Sequence, residues 1–566
     1  MKTMNFVTSD PALLPLVERY LDTADQDLLV PVLTELGADV ANRLAALADT
    51  ADKNKPTLEH FDRDGKRVDK ITYHPSYIEL SQAAYETYGL SALSHRGVHG
   101  WEKTPPHLAK YAMSYVFVQA EFGLACPVSM TDAAARTLRK FGDPELFSPY
   151  IDGLTSTDAD TRFTGGMFMT ETQAGTDIAM TETQAVRDGD VWRLSGKKWF
   201  TSNPDADVVL TLAKYPGGDN TTRGVGLFML PKVLPDGTRN SYVIDRLKDK
   251  LGTRSMPSGE ITLDGAYALQ VGELDRGFKQ MAEMINTSRL SNAMRAAALM
   301  RRAVHESVEH ARSRVVFGKP LMDQPLMRNT ILPLALETEA ALGLIFHSGD
   351  MLQKADAGDE TAKSLIRVLT PIAKHYVCKK ARWVTGEAME IRGGNGYIED
   401  WPNSRLLRDS HLGSIWEGSS NVIALDVLRC MKQYGAHRVI TDSMLEKLAA
   451  LEATDAAPGA AQLTELWHEL RTRGDALLEG ENSDAQALIG HYTNALAQGI
   501  MATLLLEQGI HESTSATGHR KLLVANTYLD SIVNGHTSTL PVALQWLDEL
   551  VDGAAVPREA ALKVFK

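Results

Sequence analysis

The apolar positions of this chain fall into four successive rhythms. Up to about residue 160 they recur at helical spacing, as in Leu13, Leu14, Val17 and Leu21, and Asp10-Pro11 predicts an N-cap followed by proline at the first helical position. From about Arg162 to Leu263 the spacing shortens to β-type runs. Ala185–Arg187 and Val191–Leu194 flank Asp188-Gly189-Asp190, which predicts a hairpin because Asp-Gly tolerates the positive φ of a tight turn. Val208–Leu212, Val225–Leu230 and Glu260–Leu263 predict further strands. After Gly277 the helical period returns, with Met281, Met284, Ile285 and Met294 on one face, and it persists to about Arg429. A last helical stretch carries the stripes Leu463, Leu466, Trp467, Leu470 and Leu488, Tyr492, Leu496, Ile500, Leu504, which read as packing faces. Ala456-Ala457-Pro458-Gly459 reads as a loop within it.

A helix–sheet–helix order with a mostly antiparallel middle piece predicts an α+β chain rather than a parallel nucleotide-binding sheet. The expected domains are a helical one over 1–160, a β-domain over 161–275, a helical bundle over 276–435 and a helical extension over 436–566. The length of 566 residues suits three or four such units. Apolar residues at 44% and charged residues at 23% are those of a globular protein with a large core. No run of about 18 or more apolar residues lacks charges, and the N-terminus has no signal-peptide pattern, so no membrane span or leader is expected. Cys126, Cys378 and Cys430 are far apart and lack metal-ligand spacing, which points to a reducing cytoplasm. His95 and His99 are four apart, but Gly97 lies between them and no acidic residue is in register, so no metal site is expected. The net charge of −13 works against nonspecific nucleic-acid binding.

Five clusters carry possible chemistry, and each alone is weak. Met169-Thr170-Glu171-Thr172-Gln173-Ala174-Gly175-Thr176-Asp177 follows a predicted strand, where small residues and hydroxyls let a polar ligand approach the backbone. Lys197 to Asn203 places Trp199 and Thr201 where a ring and a hydroxyl could flank a flat cofactor, or where Trp199 simply packs in a half-buried strand. Arg314-Val315-Val316-Phe317-Gly318 ends a helix with an arginine suited to phosphate. Arg392-Gly393-Gly394-Asn395-Gly396-Tyr397 is a glycine-rich loop that permits backbone approach to a pyrophosphate. Ile415-Trp416-Glu417-Gly418-Ser419-Ser420-Asn421 sets one carboxylate among apolar and small residues.

Together and in this order, over about residues 60–431, the clusters resemble the acyl-CoA dehydrogenase family. Its members carry Thr-Glu-x-x-x-Gly-Ser-Asp-like, Trp-x-Thr, Arg-x-x-Phe-Gly, Gly-Gly-x-Gly-(Phe/Tyr) and (Tyr/Trp)-Glu-Gly-(Ser/Thr) segments. The resemblance implies FAD as cofactor and an acyl-CoA thioester of fatty-acid metabolism as substrate. It implies that Met169, Thr170, Gly175, Thr176, Trp199 and Thr201 hold the isoalloxazine and ribityl part, with Ser419 and Asn421 along the same FAD. Arg314, Phe317, Glu390, Gly393 and Gly394 would reach the ADP part of a neighbouring subunit's FAD, which implies a homotetramer. Thr176, Asn286, Arg289 and Gly418 fall at substrate positions. Glu417 would be the catalytic base, its pKa raised by stacking against FAD and substrate. Hydride would pass to flavin N5, and an electron-transfer flavoprotein or oxygen would accept the electrons.

Within the family the chain is most similar to the AidB-type adaptive-response flavoproteins, through Phe61–Asp69, Tyr73-His74-Pro75, Leu234–Asn240, Leu247–Gly252 and the helical extension. That likeness carries a second function, DNA protection with little turnover. From Met431 to the end, however, ten Lys and Arg face seventeen Asp and Glu, so DNA binding is not expected. Thr176 replaces a usual Ser, Glu390 a Gln and Asn286 an Asp. Ser288 stands where isovaleryl-type members supply their base, which leaves Glu417 as the base and Glu283, on the substrate helix, as the next carboxylate in line.

Overall fold

The computed structural model describes residues 4–535 and 540–563. Its first helices are α1 (Leu13–Tyr20), α2 (Thr23–Asp39) and α3 (Ala45–Lys53). Strands β1 (Thr57–Phe61) and β2 (Arg67–Thr72) follow, then α4 (Pro75–Gln82), α5 (His107–Val118), α6 (Ala125–Phe141) and α7 (Pro144–Leu154). The middle strands are β3 (Gly165–Phe168), β4 (Gln184–Asp188), β5 (Val191–Ser202), β6 (Val208–Lys214), β7 (Val225–Pro231), β8 (Tyr242–Leu247) and β9 (Ser258–Gln270). Helix α8 (Gly277–Ser313) leads to the small hairpin of β10 (Val315–Val316) and β11 (Lys319–Pro320). Then come α9 (Pro325–Asp356), α10 (Glu360–Ile391), α11 (Pro402–Gly413), α12 (Ser420–Tyr434), α13 (Ala436–Ala449), α14 (Ala457–Glu479), α15 (Asn482–Glu512) and α16 (Arg520–Val533), with short helices to Leu562.

The chain forms two compact units. One comprises Asn42–Pro105 and Ala120–Ser291 and holds the sheet. Its strands pair antiparallel as predicted, except that β6 lies parallel to β3 and meets β4 in parallel at Gln184–Lys214. The hairpin predicted at Asp188–Asp190 forms, with Asp188 opposite Val191 and Gly189 at φ +63°. Extra pairings of β3 with β6 and β5 with β9 fold the sheet back around a core that includes Phe168, Trp192, Leu194, Phe228, Ile244 and Ile261. Strands β1 and β2 lie within the stretch read from sequence as helical. The AidB-like segment Phe61–Asp69 is the β1–β2 hairpin, and buried Asp69 ties it to β8 by accepting from the Ile244 N–H at 3.0 Å. Burial alone would raise the Asp69 pKa, but Arg67 and His60 beside it pull it below the ordinary value.

The other unit comprises Met1–Ala41, Pro106–Gln119 and Asn292–Lys566, and among its described residues the regular elements are helices apart from the β10–β11 hairpin. Asp10 is not the predicted N-cap: α1 starts at Leu13, and the carboxylate is buried, accepting from Ala12 N–H at 2.9 Å and Tyr115 O–H at 2.7 Å. The loop predicted at Ala456–Gly459 is also corrected. Helix α14 begins at Ala457, because Pro458 occupies its first turn, where no N–H is needed. Of the predicted stripe on α15, Tyr492, Leu496, Ile500 and Leu504 are buried, whereas Leu488 is 51% exposed and Ile489 takes the inward position. Helix α9 is long and apolar enough to cross a membrane by length and composition, but 83% of its apolar window is buried within the protein.

Helices α9 and α16 are joined by a buried charge cluster. Arg520 donates to both oxygens of Glu339, at 3.0 and 2.7 Å, and Lys521 pairs with the same carboxylate. Burial pushes the Glu339 carboxyl up, but Arg520 and Lys521 outweigh it and hold the pKa down at about 2.

Candidate active site

The Met169–Asp177 turn follows β3 and bends back on itself through Glu171 N–H donating to Ala174 C=O at 2.9 Å. Its shape depends on a buried ion pair. Lys198 Nζ, in the middle of β5, donates to Glu171 Oε1 at 2.7 Å and to Leu212 C=O at 2.8 Å. Glu171 also accepts from Thr183 Oγ1 at 2.5 Å and Glu182 N–H at 2.6 Å. With Glu171 drawn inward, Gly175 and Thr176 stand exposed on the turn. A Cβ on Gly175 would meet only the Thr170 methyl, at 3.5 Å.

Trp199 N–H donates to Thr170 C=O at 2.8 Å, so the two segments named from sequence lie side by side. Trp199 is half-buried and the Lys248 ammonium lies 3.6 Å from its ring centroid. Thr201 is fully buried and its hydroxyl donates to Gly259 C=O at 2.8 Å, which commits that hydroxyl to the sheet. Asn286 and Arg289 are half-buried on α8, with Arg289 Nη1 donating to Asn286 Oδ1 at 3.3 Å. Glu283 on the same helix is held by Arg136 and Lys140, each at 2.7 Å. Burial would raise its pKa, but the two cations lower it, which makes Glu283 a poor base.

In the helical unit, Glu417 is one of the few non-glycine residues with positive φ, at +57°, and Gly418 follows at +102°. Such a backbone persists only where its surroundings enforce it, at a cost of order 1–3 kcal/mol. The surroundings are visible. Trp416 Nε1–H donates to Asn292 Oδ1 at 2.7 Å, Asn292 Nδ2 donates to Gly413 C=O at 2.8 Å, and the Arg295 guanidinium lies 4.8 Å from the Trp416 ring centroid. From α10, the Lys374 amine donates to Gly418 C=O and His375 Nδ1 meets Ser420 C=O at 3.0 Å. Pro371 lacks the N–H that would meet Arg367 C=O, and the Cys430 thiol donates there at 3.8 Å. Ser419 and Asn421 are exposed where α12 begins.

The remaining predicted residues cluster at the surface of this unit. Arg314 is exposed just past α8, and Phe317-Gly318, at φ +50° and +81°, form the two-residue turn of β10–β11 with Phe317 98% exposed. Glu390, Gly393 and Gly394 are exposed near the end of α10, and a Cβ on either glycine would meet nothing within 4 Å. Among the described residues, no group of three or more His, Cys, Asp or Glu is placed to hold a metal ion.

Comparison with known proteins gives a class to this fold and site. The acyl-CoA dehydrogenase middle domain matches residues 166–266 and the acyl-CoA dehydrogenase C-terminal domain matches residues 275–432. The chain belongs to the acyl-CoA dehydrogenase family, as an enzyme whose cofactor is FAD. Residues 1–161 match the adaptive response protein AidB N-terminal domain, and AidB of Escherichia coli K12 is 35% identical over 465 residues, 79% of this chain and 82% of that protein. Acyl-CoA dehydrogenase family member 11 of Caenorhabditis elegans is 34% identical over 431 residues, 74% of this chain and 69% of that protein. The crystal structure of Caenorhabditis elegans ACDH-11 in complex with C11-CoA is similar with a TM-score of 0.82 at 30% identity, covering 93% of this chain and 91% of that one.

Proposed function

We propose that this enzyme α,β-dehydrogenates an acyl-CoA thioester with Glu417 as base. The observation that carries the reading is the enforced left-handed backbone at Glu417, which displays one carboxylate on a short segment gripped from both sides. The residues fit FAD. The open space at Gly393 and Gly394 admits a pyrophosphate against the backbone, Arg314 is a matching cation, and the N–H groups at the start of α12 suit an acceptor-rich ligand. Met169, Thr170, Gly175, Thr176, Trp199 and Thr201 would hold the isoalloxazine and ribityl part with Ser419 and Asn421, Thr201 contributing packing rather than its committed hydroxyl.

FAD, when bound, supplies the hydride acceptor. The chain supplies the rest. An α-proton next to a thioester is a weak acid in water, so Glu417 removes it while the backbone N–H of Glu417 donates to the carbonyl oxygen as charge develops there. Thr176, Gly418, Asn286 and Arg289 orient the thioester and its CoA. Electrons leave to an electron-transfer flavoprotein or to oxygen. None of the three cysteines is in a disulfide and all are buried, in keeping with a reducing cytoplasm. The decisive experiment is anaerobic titration of the purified protein with a panel of acyl-CoAs. Bleaching of the flavin by at least one of them supports dehydrogenation, and none doing so would remove it.

A homotetramer that shares its FAD sites is part of this reading, supported by the exposed apolar residues Val315, Phe317, Leu326, Tyr397 and Ile398 around the Arg314 and Gly393 segments. Arg314→Ala is expected to lower FAD content and solution mass together, through loss of a charge-assisted phosphate contact of about 2 kcal/mol. Full flavin occupancy at unchanged mass, by absorbance and light scattering, would contradict it.

The AidB likeness favours a second reading, protection of DNA with little turnover. The acidic balance of the segment after Met431 opposes it, because phosphate neutralisation supplies nearly all nonspecific duplex affinity. A gel shift at about 0.15 M salt should show no retention at micromolar protein; clear retention would favour the DNA reading.

A further inference from the structure

The elements that grip Glu417 do not contribute equally. Trp416 and Asn292 fix the chain before the carboxylate, and both are neutral partners in ordinary geometry. After the carboxylate, the grip comes from one turn of α10, where Lys374 and His375 take the carbonyls of Gly418 and Ser420. Lys374 is 1% exposed, on a helix stretch whose neighbours Ile372, Ala373, Val377 and Cys378 are all core residues. A buried ammonium is expensive to desolvate and is retained only where its charge is used. Gly418 lies at φ +102°, a backbone conformation that suits glycine, and the ammonium is one of the contacts that hold its carbonyl.

We propose that Lys374 is a positioning residue for the reaction: its ammonium holds the Gly418 carbonyl and thereby sets the direction of the Glu417 carboxylate. The inference rests on the reading of Glu417 as the base, and it adds that the base is aimed from α10 rather than by its own sequence neighbours. The ammonium donates to the Gly418 carbonyl, and the role proposed for it is positioning rather than proton transfer. Its removal is expected to change where Glu417 points.

The test is a double-mutant cycle on the FAD-loaded enzyme, reading the rate of flavin reduction by the best acyl-CoA in stopped flow. FAD content, melting temperature and the Kd of a non-reactive thioether analogue are measured alongside. Lys374→Met is expected to slow reduction by about 10²-fold, the size of effect that a ~1 Å misplacement of a catalytic group produces. FAD content and analogue Kd should stay near wild type. Lys374→Arg, which keeps a buried donor of different shape, should recover part of the rate.

The discriminating outcome is non-additivity. If Lys374 acts through Glu417, then Glu417→Gln combined with Lys374→Met is no slower than Glu417→Gln alone. Additive losses, or a Lys374→Met protein whose FAD content falls in proportion to its rate, would overturn the proposal in favour of a purely structural lysine. A Lys374→Met rate equal to wild type would overturn it outright. If Lys374→Met does not fold, the Lys374→Arg pair of the same cycle carries the test. An unchanged rate in Glu417→Gln alone would instead strike at the base assignment, which keeps the two failures apart.

Discussion

Glu417→Gln is expected to fold, to keep FAD and to bind acyl-CoA, yet to reduce its flavin about 10²–10⁴-fold more slowly than wild type, the range general-base catalysis supplies. The substitution conserves size and hydrogen-bonding capacity, so the left-handed φ of +57° and the contacts of Trp416 and Gly418 with Asn292 and Lys374 should survive it. What it removes is the ability to accept a proton. Glu283 cannot substitute, because Arg136 and Lys140 hold its carboxylate as a paired anion. Stopped-flow reduction with the best thioester of the panel decides the matter. Similar rates in mutant and wild type would exclude Glu417 as the base, and failure of both to reduce with any thioester would exclude dehydrogenation itself.

The largest stability effect is expected at the cluster that fastens α16 to α9. Glu339→Gln keeps the shape but leaves Arg520 and Lys521 buried without the carboxylate they share, with Glu512 3.7 Å from Lys521. Stranding charge in this way costs about 3–5 kcal/mol, which should appear as a lower denaturation midpoint at unchanged FAD content. The pH dependence has a definite sign. Glu339 titrates at about 2 in the folded protein against 4.5 for an ordinary glutamate, so its contribution is fully present above about 4.5 and is lost as pH falls toward 2. The gap between wild type and Glu339→Gln should therefore be widest at neutral pH and narrow across that window. Equal midpoints at neutral pH would show that the cluster is neutral for stability.

Much of this architecture was legible in the chain. Helical and β-type periods marked the middle piece, Asp188-Gly189 marked its hairpin, and five short motifs in one order marked the family. These are local signals, since a period of two or of about 3.6 residues follows from backbone geometry alone. The same property explains the errors. Asp10 looked like a cap because sequence gives its neighbours but not Tyr115, 105 residues away, whose hydroxyl claims it. Pro458 looked like a loop residue because a proline that breaks a helix and one that starts it are the same letter.

At the site the division is sharper. Sequence alone determined which carboxylate to examine, because Glu417 sits in a motif, and which segments to set beside FAD. Tertiary structure decided what those residues can do. Lys198 stands in phase with the buried Trp192 and Leu194 on β5 and lies wholly buried against Glu171, because an ion pair can occupy a core position that hydrophobic patterning assigns to apolar residues. Thr201 reads as a cofactor hydroxyl, yet that hydroxyl is committed to Gly259 in the neighbouring strand. Lys374 stands 43 residues before Glu417 inside an apolar helical run, and its one local signal was to be a lone charge there. Its role comes from which carbonyl the packing of α10 presents to it, and contacts between segments distant in the chain leave no period for a sequence to show.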